Sequence, residues 1–257
     1  VLANLLANAD AGWQPLFERS SATHLLRRTG CLYLYTSEEE RRAGEYGMRL
    51  RERHGVRMTK VDADAIHTLE PNLTPLYHAG VFYEDAYTIH SPLELGAALA
   101  RTFRDNGGSF IKGEATALAS SRALLEVTVD GVRHSTDHVV VAAGARSAAL
   151  ACSVGDRVLL DTERGYHVLF PEAGALLNRP VCYARHGFYM TPMADGLRAA
   201  GTVELGGLAA APNPVRTDVI RAEGARLVPR AGEASTTWMG FRPSMPDSMP
   251  VIGNSPR

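Results

Sequence analysis

Near the C-terminus the chain reads Trp238-Met-Gly-Phe-Arg242-Pro-Ser-Met-Pro-Asp247-Ser-Met-Pro250-Val-Ile-Gly253, one guanidinium set among apolar residues and three prolines. A planar fork of donors suits bidentate capture of a carboxylate where water is excluded. Pro243 fixes the backbone just after Arg242, and Trp238 and Phe241 are placed to wall such a site. The plainer alternatives are an ion pair with Asp247 or a surface arginine. A second group is Thr162-Glu-Arg-Gly165-Tyr166-His167. Gly165 permits close approach of the backbone to a planar ring, while Tyr166 or His167 lines a pocket, unless this is an ordinary strand start with a polar edge. Tyr189, on a strand in Gly187-Phe-Tyr-Met-Thr-Pro192, is either a recognition residue or simple packing. Val139-Val-Val-Ala-Ala143-Gly144-Ala-Arg-Ser147 is an apolar run ending in a glycine turn, with Ser147 placed to cap the next helix. Glu204 alternates with apolar neighbours and reads as a solvated strand residue.

Other chemistries find no support. His134 and His138 are four apart but lie in hairpin and strand context, so they do not share a helical face. There is no Gly-x-Ser-x-Gly elbow, no phosphate loop ending in Gly-Lys-Ser/Thr, no metal-ligand cluster and no Gly-x-Gly.

The elements that must position these residues follow from local signals. The first thirty residues read as one or two helices, with Pro15 forcing a break or a start. Cys31–Tyr35 is a buried strand. Ser37, with Glu40 three residues on, opens a helix that runs to about Arg53, where His54-Gly55 ends it. Asp62 caps a short helix through Leu69, and Gly80–Tyr83 is a strand. Ser91, Pro92 and Glu94 mark the start of a helix with Leu95, Leu99 and Phe103 on one face and Gly107-Gly108 at its end. Glu126–Val129 and Val132 flank a hairpin turn at Asp130-Gly131. Asp137–Ala143 is all apolar enough for a parallel strand covered on both faces. Strands are then expected at Val158–Leu160, His167–Phe170, Phe188–Met190 and Leu197–Leu205, a helix near 215–228, and a closing strand from Thr237. A further apolar strand should end at Gly253. Helices interleaved with a mostly antiparallel sheet, plus a piece of parallel sheet, give an α/β plus α+β fold.

The chain has 257 residues, 45% hydrophobic and 21% charged, enough for one large or two smaller domains. A net charge of -1 without basic blocks gives no support for nucleic-acid binding. No apolar run reaches the roughly 18 residues of a membrane helix. Cys31, Cys152 and Cys182 are odd in number and far apart, so neither a disulfide framework nor a zinc site is indicated, and a cytoplasmic setting is expected. The chain opens at Val1 inside a helical pattern, which suggests a fragment of a longer protein.

The run from Trp238 to Gly253, the Gly165-Tyr166 step and the Ala143-Gly144 turn, in this order after the Ser91 helix, closely resemble the FAD-dependent D-amino acid oxidase/dehydrogenase superfamily. The bacterial D-amino acid dehydrogenases are the most similar, and the resemblance covers essentially the whole chain. It implies an interrupted FAD-binding domain (89–153 and 241–257) and a substrate domain with a mixed, mostly antiparallel sheet (1–88 and 154–240). It also implies that Arg242 grips a substrate carboxylate and that Tyr166, His167 and Tyr189 line the substrate pocket. Ala143, Gly144, Gly165, Pro250, Val251 and Gly253 would lie against FAD. The implied reaction is hydride transfer from Cα of a D-amino acid to flavin N5. Oxidation of an N-substituted amino acid (sarcosine or proline type), or a non-catalytic binding fragment without cofactor, are the alternatives. The family's first βαβ unit and last glycine segment have no counterpart here. The expectation is therefore weak or absent FAD binding and no activity for this chain alone, the function belonging to the parent protein. The implied partner is a small amino-acid substrate; the electron acceptor and any peripheral association with the inner membrane are left open.

Overall fold

The structure is a computed structural model that describes residues 2–120 and 124–255. In chain order its elements are α1 (Leu2–Ala7), α2 (Ala9–Arg19), β1 (Leu26–Arg27), β2 (Cys31–Tyr35), α3 (Glu38–Ala43), α4 (Glu45–Arg53), β3 (Met58–Val61), α5 (Ala63–Leu69), β4 (Ala79–Tyr83), β5 (Thr88–Ile89) and α6 (Pro92–Asp105). There follow β6 (Ala115–Ser120), β7 (Leu125–Val129), β8 (Val132–Thr136), α7 (Ser147–Ser153), β9 (Asp161–Phe170), β10 (Val181–Tyr183), β11 (Phe188–Met193), β12 (Gly196–Glu204), α8 (Pro214–Leu227) and β13 (Thr236–Ser244). The chain divides into two compact units. Unit 1 is Val1–Gly108, Tyr166–Thr202 and Asn213–Met239; unit 2 is Ser109–Gly165, Val203–Pro212 and Gly240–Arg257.

An eight-stranded mixed sheet runs in the order β13-β9-β12-β11-β10-β2-β4-β3. Its one printed parallel pairing, β10 against β2, sets Cys182 opposite Tyr33, while β11 pairs antiparallel with both β10 and β12. In unit 1, period-two alternation decides which side chains are buried. Leu32, Leu34, Val168, Phe170, Val181, Tyr183, Met190, Leu197 and Ala199 point to one face, where Ile66 of α5 and Ile220 and Leu227 of α8 close over them as the main core. The opposite face is covered at its β2–β4 end by Met48 of α4, packed with Cys31, Tyr35, Val81 and Tyr83. A smaller core joins Phe17, Leu25, Leu95 and Ala98. Unit 2 holds the three-stranded antiparallel sheet β6-β7-β8. Its β7–β8 turn has positive φ at both Asp130 (47°) and Gly131 (81°), as a tight hairpin between right-twisted strands requires.

The local caps fall where the sequence places them. The amides of Glu40, Ala65 and Glu94 donate to Ser37 Oγ, Asp62 Oδ1 and Ser91 Oγ at 3.2, 2.9 and 3.3 Å. Several expectations are corrected. Pro15 lies inside α2, the break falling instead at Asn8; Ala11 and Pro15 are both exposed, so the carbonyl that proline leaves unpaired faces water. The single helix to Arg53 is broken at Gly44, where a Cβ would stand 2.8–3.1 Å from the Tyr35 ring. Residues 137–143 and Val158–Leu160 are not strands, and Val140 and Leu159 are 88% and 60% exposed. A buried parallel strand needs a ladder neighbour, and none pairs with either segment among the described residues. Ser147 is the first residue of α7 and makes no side-chain cap; Arg146 holds the cap position. The apolar stretch ending at Gly253 is not a strand either, with Val251 63% and Ile252 79% exposed. Phe103 is half exposed rather than packed on the inner face of α6.

Candidate functional site

In unit 1 the sheet face away from the main core gathers several residues of chemical interest. Tyr166 and Val168 point into the core, so His167 between them points the other way. Its imidazole stacks on Trp238 with ring centroids 5.0 Å apart and planes 20° from parallel. Leu197 and Ala199 are core residues, so Arg198 and Ala200 share the outer face, and Ala200 stands opposite Tyr189. Tyr189 in turn stands opposite Cys182; its ring meets Tyr33 edge-on at 5.8 Å, and the two hydroxyls are hydrogen-bonded to each other. Burial holds the His167 pKa below its usual value, with Arg198 adding to the effect and Asp195 opposing it. The imidazole is therefore biased to the neutral form. Burial likewise pushes the Cys182 thiol up to about 11, away from the thiolate.

Tyr166 sits elsewhere. Its ring is 2% exposed within the core, and its hydroxyl accepts from the Asn213 amide at 3.0 Å, just before α8.

In unit 2 the guanidinium of Arg242 lies directly on Gly165. A Cβ there would collide with Cζ and both Nη atoms of Arg242, so only glycine allows this seat. The group that approaches Gly165 in this structure is thus an arginine. Asp247 does not take the part of an ion-pair partner; its Oδ1 accepts from the Met249 amide at 3.0 Å. Next to Gly165, Arg164 is 1% exposed, a buried cation that no sequence signal singled out. Its Nη2 donates to the carbonyls of Ala210 and Ala211, each at 2.9 Å, and its Nη1 lies 3.3 Å from Glu204 Oε2. The reading of Glu204 as solvated is corrected by this pairing. Gly206 packs against the same guanidinium, since a Cβ there would stand 2.6 Å from Nη1. A cleft of about 190 Å³, bordered by Thr162, Glu163, Leu205, Ser244 and Pro246, lies in this unit.

The residues expected against a flavin present a fitting surface within unit 2. Gly144 has φ +56° with open space where a Cβ would be, so backbone is accessible there. Ala143 is exposed beside it, and Pro250 and Val251 are exposed on the far segment with Gly253 in open space. An accessible glycine turn and an uncovered apolar strip are compatible with close contact to a ribose and a flat ring. Among the described residues no group of three or more His, Cys, Asp or Glu side chains is placed to hold a metal, and no helix is long and apolar enough to cross a membrane.

This mixed α/β architecture, with helices packed on a long mixed sheet, is shared by solved oxidoreductases. Glycine oxidase from Geobacillus kaustophilus superposes with a TM-score of 0.84 at 23% identity, over 97% of this chain and 68% of that one. The L-proline dehydrogenase from P. horikoshii superposes with a TM-score of 0.80 at 18% identity, over 95% and 67%. A family model described as FAD dependent oxidoreductase matches residues 1–257, and the chain belongs to that family. A D-amino-acid oxidase of Bradyrhizobium diazoefficiens is 37% identical over 262 residues, and a D-amino acid dehydrogenase of Vibrio vulnificus strain YJ016 is 28% identical over 244. These alignments take in 99% and 90% of this chain but 62% and 57% of the relatives, so the chain spans about three fifths of their length.

Proposed function

We propose that the protein to which this chain belongs is an FAD-dependent oxidoreductase of the amine group of a D-amino acid. The observation that carries this reading is the arginine seat: Arg242 lies on the bare backbone of Gly165, in a family whose curated relatives include D-amino acid oxidase and dehydrogenase. A guanidinium held flat on backbone keeps one edge of its donor fork for a planar partner, and an amino-acid carboxylate is such a partner. Arg242 anchors the substrate; His167, neutral and stacked on Trp238, and Tyr189, braced by Tyr33, line the side of the substrate. Tyr166 supports the fold from within through Asn213.

Loss of a hydride from Cα of the neutral amine leaves an iminium that water hydrolyses. When bound, FAD supplies the two-electron acceptor for that step, and Ala143, Gly144, Gly165, Pro250, Val251 and Gly253 are the residues proposed to contact it. The protein's share is positioning: a fixed carboxylate holds the Cα–H bond in one orientation, which accounts for the lack of a dedicated acid or base. Oxidation of an N-substituted amino acid would use the same arginine.

The test is anaerobic reduction of the flavin in the full-length holoprotein by D-alanine, sarcosine and proline. D-Alanine should bleach the visible flavin band fastest. Arg242→Leu should weaken apparent substrate affinity by about 30-fold or more, the loss expected when one partner of a charge-assisted pair is truncated. Equal affinity in the variant would remove Arg242 from the carboxylate role, and faster reduction by sarcosine or proline would favour the N-substituted class.

A further inference from the structure

The outer sheet face of unit 1 contains a second arginine whose hydrogen bonding is incomplete. Arg198 is placed there by β12, between the core residues Leu197 and Ala199, and its side chain is 24% exposed. Nη2 lies 3.1 Å from Oδ2 of Asp195, in the turn that leads into β12, and Asp195 itself is 52% exposed. The Nε–H is buried and makes no hydrogen bond among the described residues. A buried N–H left without an acceptor is costly, and it becomes an asset where a ligand brings the acceptor. The surroundings suit such a ligand. His167 is near enough for Arg198 to act on its charge state, Trp238 backs His167, and the small Ala200 leaves a shallow floor between Arg198 and Tyr189.

We infer that Arg198, with His167 beside it, is a subsite for the side chain of the substrate, and that it selects amino acids carrying a side-chain carboxylate, such as D-glutamate. This rests on the amino-acid-oxidising reading given above. The guanidinium has a donor to spare that Asp195 does not use, and a carboxylate is the acceptor that matches it in charge and shape. An aliphatic side chain would leave the Nε–H unpaired and would gain only the contact with Ala200 and the rings.

The experiment separates this inference from the reading it rests on. Binding to the full-length holoprotein is measured by calorimetry with glutarate, which carries a second carboxylate, and with valerate, which does not. Glutarate should bind at least about tenfold more tightly. Arg198→Met should erase that ratio. Asp195→Asn, which removes the competing carboxylate, should enlarge it, an outcome that a damaged fold would not produce. A ratio near one in the parent protein, or one untouched by both substitutions, overturns the subsite whether or not the enzyme turns over. In parallel, flavin reduction is followed with D-glutamate and D-norvaline. Preference for D-glutamate supports the subsite, and equal or greater preference for D-norvaline counts against it. Failure of both to reduce the flavin, with the glutarate ratio intact, would sink the amino-acid-oxidising reading and leave Arg198 as a dicarboxylate site.

Discussion

At the scale of single residues, His167 is the group whose ionisation is most constrained by its place. It is half-buried on β9, and desolvation disfavours its imidazolium first; Arg198 repels that charge further, while Asp195 only partly compensates. Its folded pKa therefore lies below the ordinary value of about 6.5. Below that value the unfolded chain takes up a proton that the folded chain resists, so unfolding gains protons and stability falls as pH is lowered. Above about 6.5 both states are neutral at this position and its contribution is complete. Urea unfolding followed from pH 8 to pH 5 should show a midpoint that declines below that value, and His167→Gln should flatten the decline. An identical slope in the variant would show that the histidine titrates freely. The same scale shows a limit of reading strand alternation from sequence. Glu204 alternates with apolar neighbours as a solvated residue would, but Thr202 adopts φ +58° in the middle of the pattern, and two residues later Glu204 meets the buried Arg164. Neither the left-handed threonine nor the buried arginine has a signature in residue type: threonine disfavours that conformation, and arginine is rarely buried.

Among the elements, those fixed by short-range chemistry are the ones legible in advance. Helix α6 begins at Pro92 because Ser91 accepts from the Glu94 amide and proline needs no partner in the first turn, and all of that lies within four residues. The α5 cap at Asp62 and the hairpin at Asp130-Gly131 are legible for the same reason. The segments at 137–143 and 158–160 have the right apolar composition for strands, yet a strand exists only when another strand supplies its hydrogen bonds, and composition cannot name that neighbour. β10, only three residues long, passes unnoticed for the converse reason: Val181–Tyr183 is too short to show a period, and its identity comes from β2 and β11 on either side. The candidate site divides along the same line, since Gly165 and Arg242 could be picked out by type but not their contact. A cap that acts locally should also fail locally. Ser91→Ala should cost about 1 kcal/mol in equilibrium unfolding, with amide exchange accelerated in the first turn of α6 more than elsewhere. Unchanged exchange there would mean that Pro92 and packing of Leu95 hold the start of the helix unaided.

For the molecule as a whole, the decisive asymmetry is where apolar surface is buried. All three hydrophobic clusters belong to unit 1, whereas unit 2 leaves Val140, Leu159, Leu205, Val251 and Ile252 largely exposed. Global stability measured on this chain should therefore report mainly on unit 1, and on whatever locks the pieces of chain that build it. Glu70 is one such lock. Fully buried at the end of α5, it accepts from the Asn178 amide at 3.0 Å and from Nε of Arg179 at 2.8 Å, joining residue 70 to the approach to β10 more than a hundred positions later. Arg179 is itself 17% exposed and lies over the Phe82 ring at 5.3 Å, so it is held on a second side. A buried pair of this kind adds little relative to a hydrophobic replacement of both members, but removing one member strands the other. Glu70→Ala should accordingly lower unfolding stability by about 3–5 kcal/mol, since it leaves a cation and a backbone N–H without their acceptor. Adding Arg179→Met should recover a substantial part of the loss, because the stranded charge is gone. Denaturant melts of the parent, both single variants and the double variant decide the matter. A double variant that loses the sum of the two single losses would show that the two residues act independently and that the long-range lock lies in the apolar packing around them.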